Sequence, residues 1–294
     1  MTHRVLLRPP SRSPTVLKTL TFLLALPIAA FGQAPATGHG ALIADLEAMP
    51  NVNSDGARDS LSTRIKAELS TVLSADDALT ADFSDVPMSR VDAPDGDFRL
   101  FTWNVPRDNG TFAYEGFLLM KAHHGTALVS LHDATAQIDD APSAQLTPDK
   151  WYGALYYAVV PVKKGGKTYY TLLGWKGVSD TETRKIIEVL SFSGSTPRFG
   201  ANIFSDGNRI RRHVFAYTTQ ATMQLQWDAT RKAIVLDHLS AINPEFDGNP
   251  AFMAPDLSFD AYVWDKGHWN YQRDIDLRQT GRSKPYNTPP KEER

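Results

Sequence analysis

Histidine and carboxylate residues lie close together late in the chain, where they could form an acid–base or a metal site. Asp237 and His238 are adjacent, and Asp260 lies in a later segment rich in aromatic residues. A histidine oriented by a carboxylate can act as a general acid or base. Adjacent residues on a strand point to opposite faces, so Asp237 and His238 cannot simply chelate one ion. The sequence therefore predicts no metal site, and Asp237, His238 and Asp260 remain candidate ligand-binding residues.

Aromatic residues form a second group of candidates. Tyr156-Tyr157 and Tyr169-Tyr170 are doublets, and a doublet on a strand places one ring on each face. One face is expected to enter the core, while the other is either a stacking platform for a sugar or another flat ligand, or is covered by the N-terminal helices. We take Tyr156, Tyr170 and Trp175 as the candidate ligand-binding aromatics.

The common catalytic motifs are missing from the sequence. It contains no G-x-S-x-G, no H-E-x-x-H, no phosphate-binding P-loop and no glycine-rich dinucleotide pattern before a helix. Cysteine is absent, which excludes disulfides, thiol catalysis and thiolate metal ligands. The sequence thus predicts no cofactor and favours a protein that is not an enzyme.

The charge balance argues against a polyanionic partner. The chain has 31 basic and 33 acidic residues, and residues 1–33 contribute four bases and no acid. The remainder therefore carries a formal net charge of −6. Such a surface gives no broad attraction to phosphate backbones, so we expect no nucleic-acid partner.

Residues 1–33 have the features of a signal peptide. Arg4, Arg8, Arg12 and Lys18 precede an apolar run over 19–31, and small residues follow it. The run is shorter than the about 20 residues that span a bilayer comfortably. An uncleaved anchor and a buried helix are the alternatives. We predict an exported protein of the periplasm, the cell envelope or the extracellular space, without a transmembrane segment in the mature chain.

Residues 34–97 are predicted to be a linker followed by a helical segment. Apolar residues recur at helical spacing at Leu61, Ile65, Leu69 and Leu73, and Ser54 or Asp55 can cap the start. Apolar residues over 42–49 indicate a shorter helical turn before this helix. Residues 75–97 are acidic and have the composition of a loop.

From residue 98 the pattern changes to short runs of aromatic and β-branched residues separated by turn residues, which is typical of antiparallel strands. Strands are predicted at 98–104, 111–121, 126–133, 152–162, 168–175, 184–193, 199–204, 209–218, 221–228, 233–239, 257–264 and 268–272. The predicted fold is mainly β: an antiparallel meander over 98–277 forming a sandwich or barrel-like sheet, with one or two N-terminal helices. A β-propeller-like arrangement is the alternative, and residues 278–294 are expected to be a disordered tail.

The pair Gly165-Gly166 predicts a hairpin whose register can be counted outward from the turn. This register pairs Lys164 with Lys167, Val162 with Tyr169, and Tyr156 with Trp175. In this register the backbone nitrogen of Pro161 faces away from its hairpin partner. Because proline has no N–H, the hydrogen bond to a strand on that other side is missing. That side is expected to be a sheet edge, a bulge, or a place where the next strand stops short.

Several stretches together resemble a group of exported bacterial proteins that have no assigned activity. They are FRLFTWN at 98–104, YYTLLGW at 169–175, RFG at 198–200, DHLS at 237–240 and PDLSFDAY at 255–262. The resemblance covers roughly residues 98–271. It implies export and a bacterial envelope setting, and it assigns no residue a role.

These observations favour a non-catalytic β protein of the bacterial envelope that binds a small molecule, a glycan or an envelope protein. The alternative is a hydrolase that acts on an extracellular polymer through dispersed carboxylate and histidine residues. A third hypothesis is a structural role in envelope assembly, with the strand edge at Pro161 recruiting a partner strand.

Overall fold

A computed structural model describes residues 39–207 and 209–277. The predicted signal peptide (1–33), residues 34–38 of the linker and the predicted tail (278–294) lie outside the described residues. Two helices open the described part, α1 (Gly40–Ala48) and α2 (Asp55–Leu73). The hydroxyl of Ser54 caps α2 by accepting a hydrogen bond of 3.3 Å from the amide of Ala57. The predicted pair of N-terminal helices is therefore confirmed.

Thirteen strands follow the helices within the described residues. They are β1 (Ser89–Asp92), β2 (Phe98–Pro106), β3 (Phe112–Lys121), β4 (Thr126–His132), β5 (Leu155–Lys164), β6 (Lys167–Gly177), β7 (Glu182–Ser193), β8 (Thr196–Phe199), β9 (His213–Thr218), β10 (Leu225–Asp228), β11 (Ala233–Ala241), β12 (Met253–Asp265) and β13 (His268–Gln272).

The strands form three antiparallel sheets. We call them the first sheet (β1-β2-β3-β4), the middle sheet (β5-β6-β7-β8, with β9 also paired to β7) and the last sheet (β10-β11-β12-β13). Strands β8 and β9 pair with opposite ends of β7. The predicted mainly β, antiparallel meander is confirmed.

The sheets stack face to face because their side chains alternate in direction. On β2, Phe98 and Leu100 pack toward the middle sheet, whereas Phe101 and Trp103 pack against the helices. The same alternation on β11 sends Ile234 toward the middle sheet. The order of layers is helices, first sheet, middle sheet and last sheet.

The middle sheet is therefore buried on both faces. Leu172 faces the first sheet and its neighbour Leu173 faces the last sheet, and Ile186 and Ile187 divide in the same way. A strand with two covered faces needs apolar residues at consecutive positions. This explains the apolar pairs Leu172-Leu173 and Ile186-Ile187.

Two details of the structure depart from the predicted strands. Strand β1 lies in the segment that was predicted to be loop, so the sheets begin before residue 98. The strand predicted at 199–204 is wrong, because β8 ends at Phe199 and the chain turns away at Gly200, where φ is +93°.

The hairpin at Gly165-Gly166 is present, with Lys164 opposite Lys167 and Val162 opposite Tyr169. The predicted pairing of Tyr156 with Trp175 is wrong. A bulge at Tyr157 shifts the register by one residue, so that Tyr156 lies opposite Gly174. Strand β5, which carries Pro161, is an edge strand of the middle sheet, which is the first of the three alternatives predicted for this side.

Among residues 39–207 and 209–277, no helix has both the length and the apolar character that crossing a membrane requires.

Candidate functional site

The six candidate residues from the sequence lie in separate parts of the fold. Tyr156 and Tyr170 are buried between the first and middle sheets, and Trp175 lies at the end of β6. Asp237, His238 and Asp260 lie on β11 and β12 of the last sheet. The structure therefore divides the predicted site into two candidates, one around Trp175 and one around His238.

Trp175 and Lys176 line two neighbouring depressions that share Arg107, Thr111 and Phe112, and we call the two together the Phe112 cleft and each of them a lobe. The walls of the cleft come from the β2–β3 turn (Arg107, Thr111 and Phe112), from residues 133–137 after β4, and from residues 175–180 at the end of β6. The lobe beside Lys176 has a volume of about 430 Å³ and the lobe beside Trp175 about 400 Å³. Both lobes fall within the range of ordinary small-ligand sites.

Helix α2 holds the β2–β3 turn in place over the cleft. Arg58 donates to Asp108 at 2.6 Å, and Arg107 donates to Asp59 at 2.6 Å. The amide of Asp108 also donates to Asp55 at 2.9 Å. Exposed ion pairs of this kind add little stability, but together they fix the position of the turn.

The floor of the Trp175 lobe is aromatic. The ring centroids of Phe112 and Trp175 are 6.3 Å apart, with an angle of 71° between the ring planes. Gly177 lies under both rings, because a Cβ there would be 2.7 Å from Phe112 and 2.9 Å from Trp175. Polar residues surround this floor, namely Arg107, Thr111, Ser179, Asp180, Thr183 and Thr219.

Lys176, whose side chain is 4% exposed, is one of the residues in the wall of the other lobe. Its Nζ donates to the carbonyl oxygens of Tyr152 at 3.1 Å and Gly153 at 2.7 Å. It lies 3.9 Å from the ring centroid of Tyr114 and 3.7 Å from Asp133 Oδ2. Burial lowers the pKa of Lys176 to about 8, although the Asp133 carboxylate acts in the opposite direction.

Asp133 is held beside Lys176 by the turn that follows β4. Thr135 donates to Asp133 Oδ1 from its amide at 2.9 Å and from its hydroxyl at 2.5 Å. Gly153 makes room for the carboxylate, since a Cβ at that position would be 2.5 Å from Asp133 Cγ. The carboxylate is thus held by Thr135, and the lysine by two backbone carbonyl oxygens.

Tyr156 and Tyr170 are surrounded by protein rather than by the cleft. The Tyr156 hydroxyl donates to Glu188, a fully buried residue that also pairs with Arg212. The Tyr170 hydroxyl donates to Asp95 at 2.7 Å. Burial and the neighbouring carboxylates raise the pKa of both tyrosines.

The second candidate is a pair formed by His238 and Asp260. His238 Nδ1 and Asp260 Oδ2 are 2.7 Å apart. The carboxylate, which is 2% exposed, also accepts hydrogen bonds from the Tyr271 hydroxyl at 2.6 Å and from the amide of Asp274 at 3.1 Å. Arg273 Nη2 lies 3.2 Å from His238 Nε2.

These contacts fix the tautomer of His238. An arginine only donates hydrogen bonds, so the Nε2 that faces Arg273 is an acceptor and Nδ1 carries the proton donated to Asp260. This orientation by a carboxylate is what a general base requires. Asp237 does not join the pair, because its carboxylate accepts the amide of Gln224 at 2.7 Å.

Two residues of the cleft, Phe112 and Lys176, were not among the candidates from the sequence. Lys176 carried a usable signal, since it follows Leu172 and Gly174 at every second position of β6 and therefore falls on a buried face. A lysine at such a position is unusual and needs a partner. Phe112 carried no signal, because its role depends on the contact between two sheets.

In the described part of the chain, no three histidine or carboxylate side chains converge as they would around a metal ion. Comparison with known proteins gives no match: no family model, no curated protein and no solved structure is significantly similar to the chain.

Proposed function

We propose that the protein is an exported, non-catalytic binding protein of the bacterial envelope, and that the Phe112 cleft holds a glycan. The observation that carries this proposal is the pair of rings, Phe112 and Trp175, that meet over Gly177 beneath a rim of polar side chains.

A sugar ring matches this arrangement chemically. A pyranose has apolar C–H faces and a rim of hydroxyl groups. The aromatic rings can cover a C–H face, which buries apolar surface. Thr183, Ser179 and the Asp180 carboxylate can exchange hydrogen bonds with the hydroxyl groups.

The exported location is proposed from the sequence. The basic stretch before residue 19, the apolar run and the small residues after it support a cleaved signal peptide. The resemblance to exported bacterial proteins points to the same setting, where glycans of the cell surface are accessible ligands.

The test is binding of the purified protein to an array of saccharides, followed by calorimetry with the best binder. Trp175→Ala is expected to weaken binding at least about tenfold, which corresponds to about 1.4 kcal/mol. Phe252→Ala is the matched control, because Phe252 is a partly exposed aromatic residue outside the cleft. Absence of binding to any saccharide, or equal effects of the two substitutions, would contradict the proposal.

The contact between His238 and Asp260 favours a second candidate function, hydrolysis of an extracellular polymer. In this alternative, His238 Nε2 removes a proton from water after Arg273, whose side chain is 64% exposed, swings away. His238→Gln is then expected to abolish the release of soluble fragments from cell-wall or capsular polymer. His132→Gln, at an exposed histidine on β4 of the first sheet, is the control. Equal release by the protein and by His238→Gln would exclude this role.

A further inference from the structure

Lys176, whose amine is buried, lines a space large enough for a small ligand. The lobe of about 430 Å³ beside it also contains Asp133, Thr135 and Gln137. Most lysines keep the ammonium in water, whereas the side chain of Lys176 is 4% exposed. The position of this amine is therefore set by the protein rather than by solvent.

The hydrogen bonds of Lys176 suit a neutral amine as well as an ammonium ion. A neutral amine has two N–H donors and one lone pair, and the carbonyl oxygens of Tyr152 and Gly153 accept two hydrogen bonds from Nζ. Loss of the third proton leaves no buried donor without an acceptor, so the desolvation cost of an unpaired group does not oppose it.

We propose that Lys176 forms an imine with the carbonyl carbon of an aldehyde ligand, such as the open-chain form of a reducing sugar, bound in the Phe112 cleft. This proposal rests on the proposed function, because it names the chemical form in which one class of ligand is held.

The step is balanced without a further reactant. The lone pair of Lys176 Nζ forms a C–N bond to the aldehyde carbon, and one of the two amine protons passes to the carbonyl oxygen to give a carbinolamine. The hydroxyl group then leaves as water with the one remaining amine proton, while the C=N bond forms. Nothing is oxidised or reduced, and water reverses the reaction.

Asp133 is close enough to Lys176 to accept and return the amine protons during this reaction. Its Oδ2 lies 3.7 Å from Lys176 Nζ, a distance that one small movement of either side chain closes to a hydrogen bond. Burial, which lowers the pKa of Lys176 to about 8, keeps a useful fraction of the amine neutral near neutral pH.

Lys121 is a suitable reference within the same molecule. Its ammonium pairs with Asp97 at 3.2 Å, and its side chain is 54% exposed. Lys121 lies outside the Lys176 lobe and is open to any aldehyde in solution. A difference between the two lysines therefore reports on the cleft.

The experiment is reductive trapping with glycolaldehyde and cyanoborohydride at about pH 8, followed by peptide mass spectrometry. An amine with a pKa near 8 is about half neutral there, against less than about 1% for an ordinary lysine. We expect Lys176 to be modified at least about tenfold faster than Lys121. Modification of Lys176 at the rate of Lys121, or more slowly, would overturn the proposal.

A second variant separates an imine-forming lysine from a merely structural one. The Asp133 carboxylate raises the pKa of Lys176, so Asp133→Asn should move half-maximal trapping at Lys176 to lower pH and leave Lys121 unchanged. If Asp133→Asn unfolds, the pH profile of the parent protein gives the reading instead: half-maximal trapping at Lys176 must lie near pH 8, and that at Lys121 at least about one pH unit higher. An unchanged pH profile in a folded Asp133→Asn would contradict the proposal.

The saccharide array distinguishes the two proposals, because its sugars are attached through the anomeric carbon and carry no free carbonyl. Array binding without trapping at Lys176 refutes the imine and leaves the glycan-binding function intact. Trapping without array binding supports the imine and refutes the glycan-binding function. Failure of both measurements refutes both.

Discussion

At the scale of single residues, the most demanding feature is an ion pair in the core. Glu188 and Arg212 are both fully buried, and Arg212 Nε donates to Glu188 at 2.5 Å. Tyr156 donates to the same carboxylate and accepts from Trp151 Nε1 at 3.0 Å. Burying two charges is costly, and the network offsets part of that cost, because Tyr156 donates to the carboxylate and Arg212 Nη1 donates to the Ala141 carbonyl oxygen. Arg212 Nη2 contacts the paired carboxylate but makes no hydrogen bond.

We predict that Arg212→Met destabilises the protein by about 3–5 kcal/mol, because it leaves Glu188 charged and unpaired in the core. Combining it with Glu188→Gln, which still accepts from Tyr156, should recover much of that loss. Urea unfolding of the single and double variants measures the coupling. Strictly additive effects would show that the two side chains do not act as a pair.

The sequence predicted one residue of the cleft, Trp175, but not which other side chains would lie beside it. Trp175 was a candidate because tryptophan on a strand suits stacking, and it does line the cleft. Tyr156 and Tyr170 were chosen for the same reason, but stacking of the first and middle sheets buries them. Which face of a strand another sheet covers depends on contacts distant in sequence, and alternation alone cannot supply that information.

At the scale of elements, local patterns predicted the helices and most strands because those signals lie within a few residues. The short strand β1 was not predicted, because Pro87, Pro94 and Gly96 give the residues around it the composition of a loop. Its pairing with β2 is what makes it a strand. The bulge at Tyr157 was not predicted for a similar reason, since nothing in the sequence around Tyr157 distinguishes a bulge from a regular strand.

Two glycines in different elements should respond in opposite ways to alanine. At Gly116 in the centre of the first sheet, a Cβ would lie 2.9 Å from the Phe101 carbonyl oxygen and 3.0 Å from Leu131. At Gly56 in α2 a Cβ meets nothing within 4 Å. We expect Gly116→Ala to cost about 1–3 kcal/mol and Gly56→Ala to stabilise by about 0.5–1 kcal/mol.

Thermal unfolding of these two variants beside the parent protein tests the stacking of elements directly. The two substitutions are chemically identical, so intrinsic effects of alanine are shared. If Gly116→Ala were as stable as Gly56→Ala, the close approach of β2 and β4 to β3 would be wrong.

At the scale of the whole molecule, the stacked sheets remove most tyrosines from water. Burial is the largest cause that raises the pKa of Tyr114, Tyr152, Tyr156, Tyr170, Tyr217 and Tyr262. These groups stabilise the folded state below the pKa of a free tyrosine, and that contribution is lost as the pH rises above about 10.

We therefore expect the native protein at about pH 11 to show much less tyrosinate absorbance than the chain unfolded in guanidinium chloride at the same pH. The difference should appear in a single step with unfolding, because the layers share their cores. Full tyrosinate absorbance in a protein that keeps its native circular dichroism would contradict the buried positions of these rings.

Lys176 should change the stability in the opposite direction to the tyrosines as the pH rises. Its folded pKa of about 8 lies below the ordinary value of 10.5, so between these values the folded protein loses a proton that the unfolded chain keeps. The free energy of unfolding must then rise with pH in this window, by up to about 3 kcal/mol. Lys176→Met lacks this gain, while the tyrosines affect both proteins equally.

The difference in unfolding free energy between the parent protein and Lys176→Met isolates this contribution. Urea titrations at several values from about pH 7 to pH 10 should show the difference moving steadily in favour of the parent as the pH rises. A difference that stays constant across the window would mean that Lys176 keeps an ordinary pKa in the folded state. The buried amine in the Phe112 cleft would then remain an ammonium ion, and its reaction with an aldehyde would lose its physical basis.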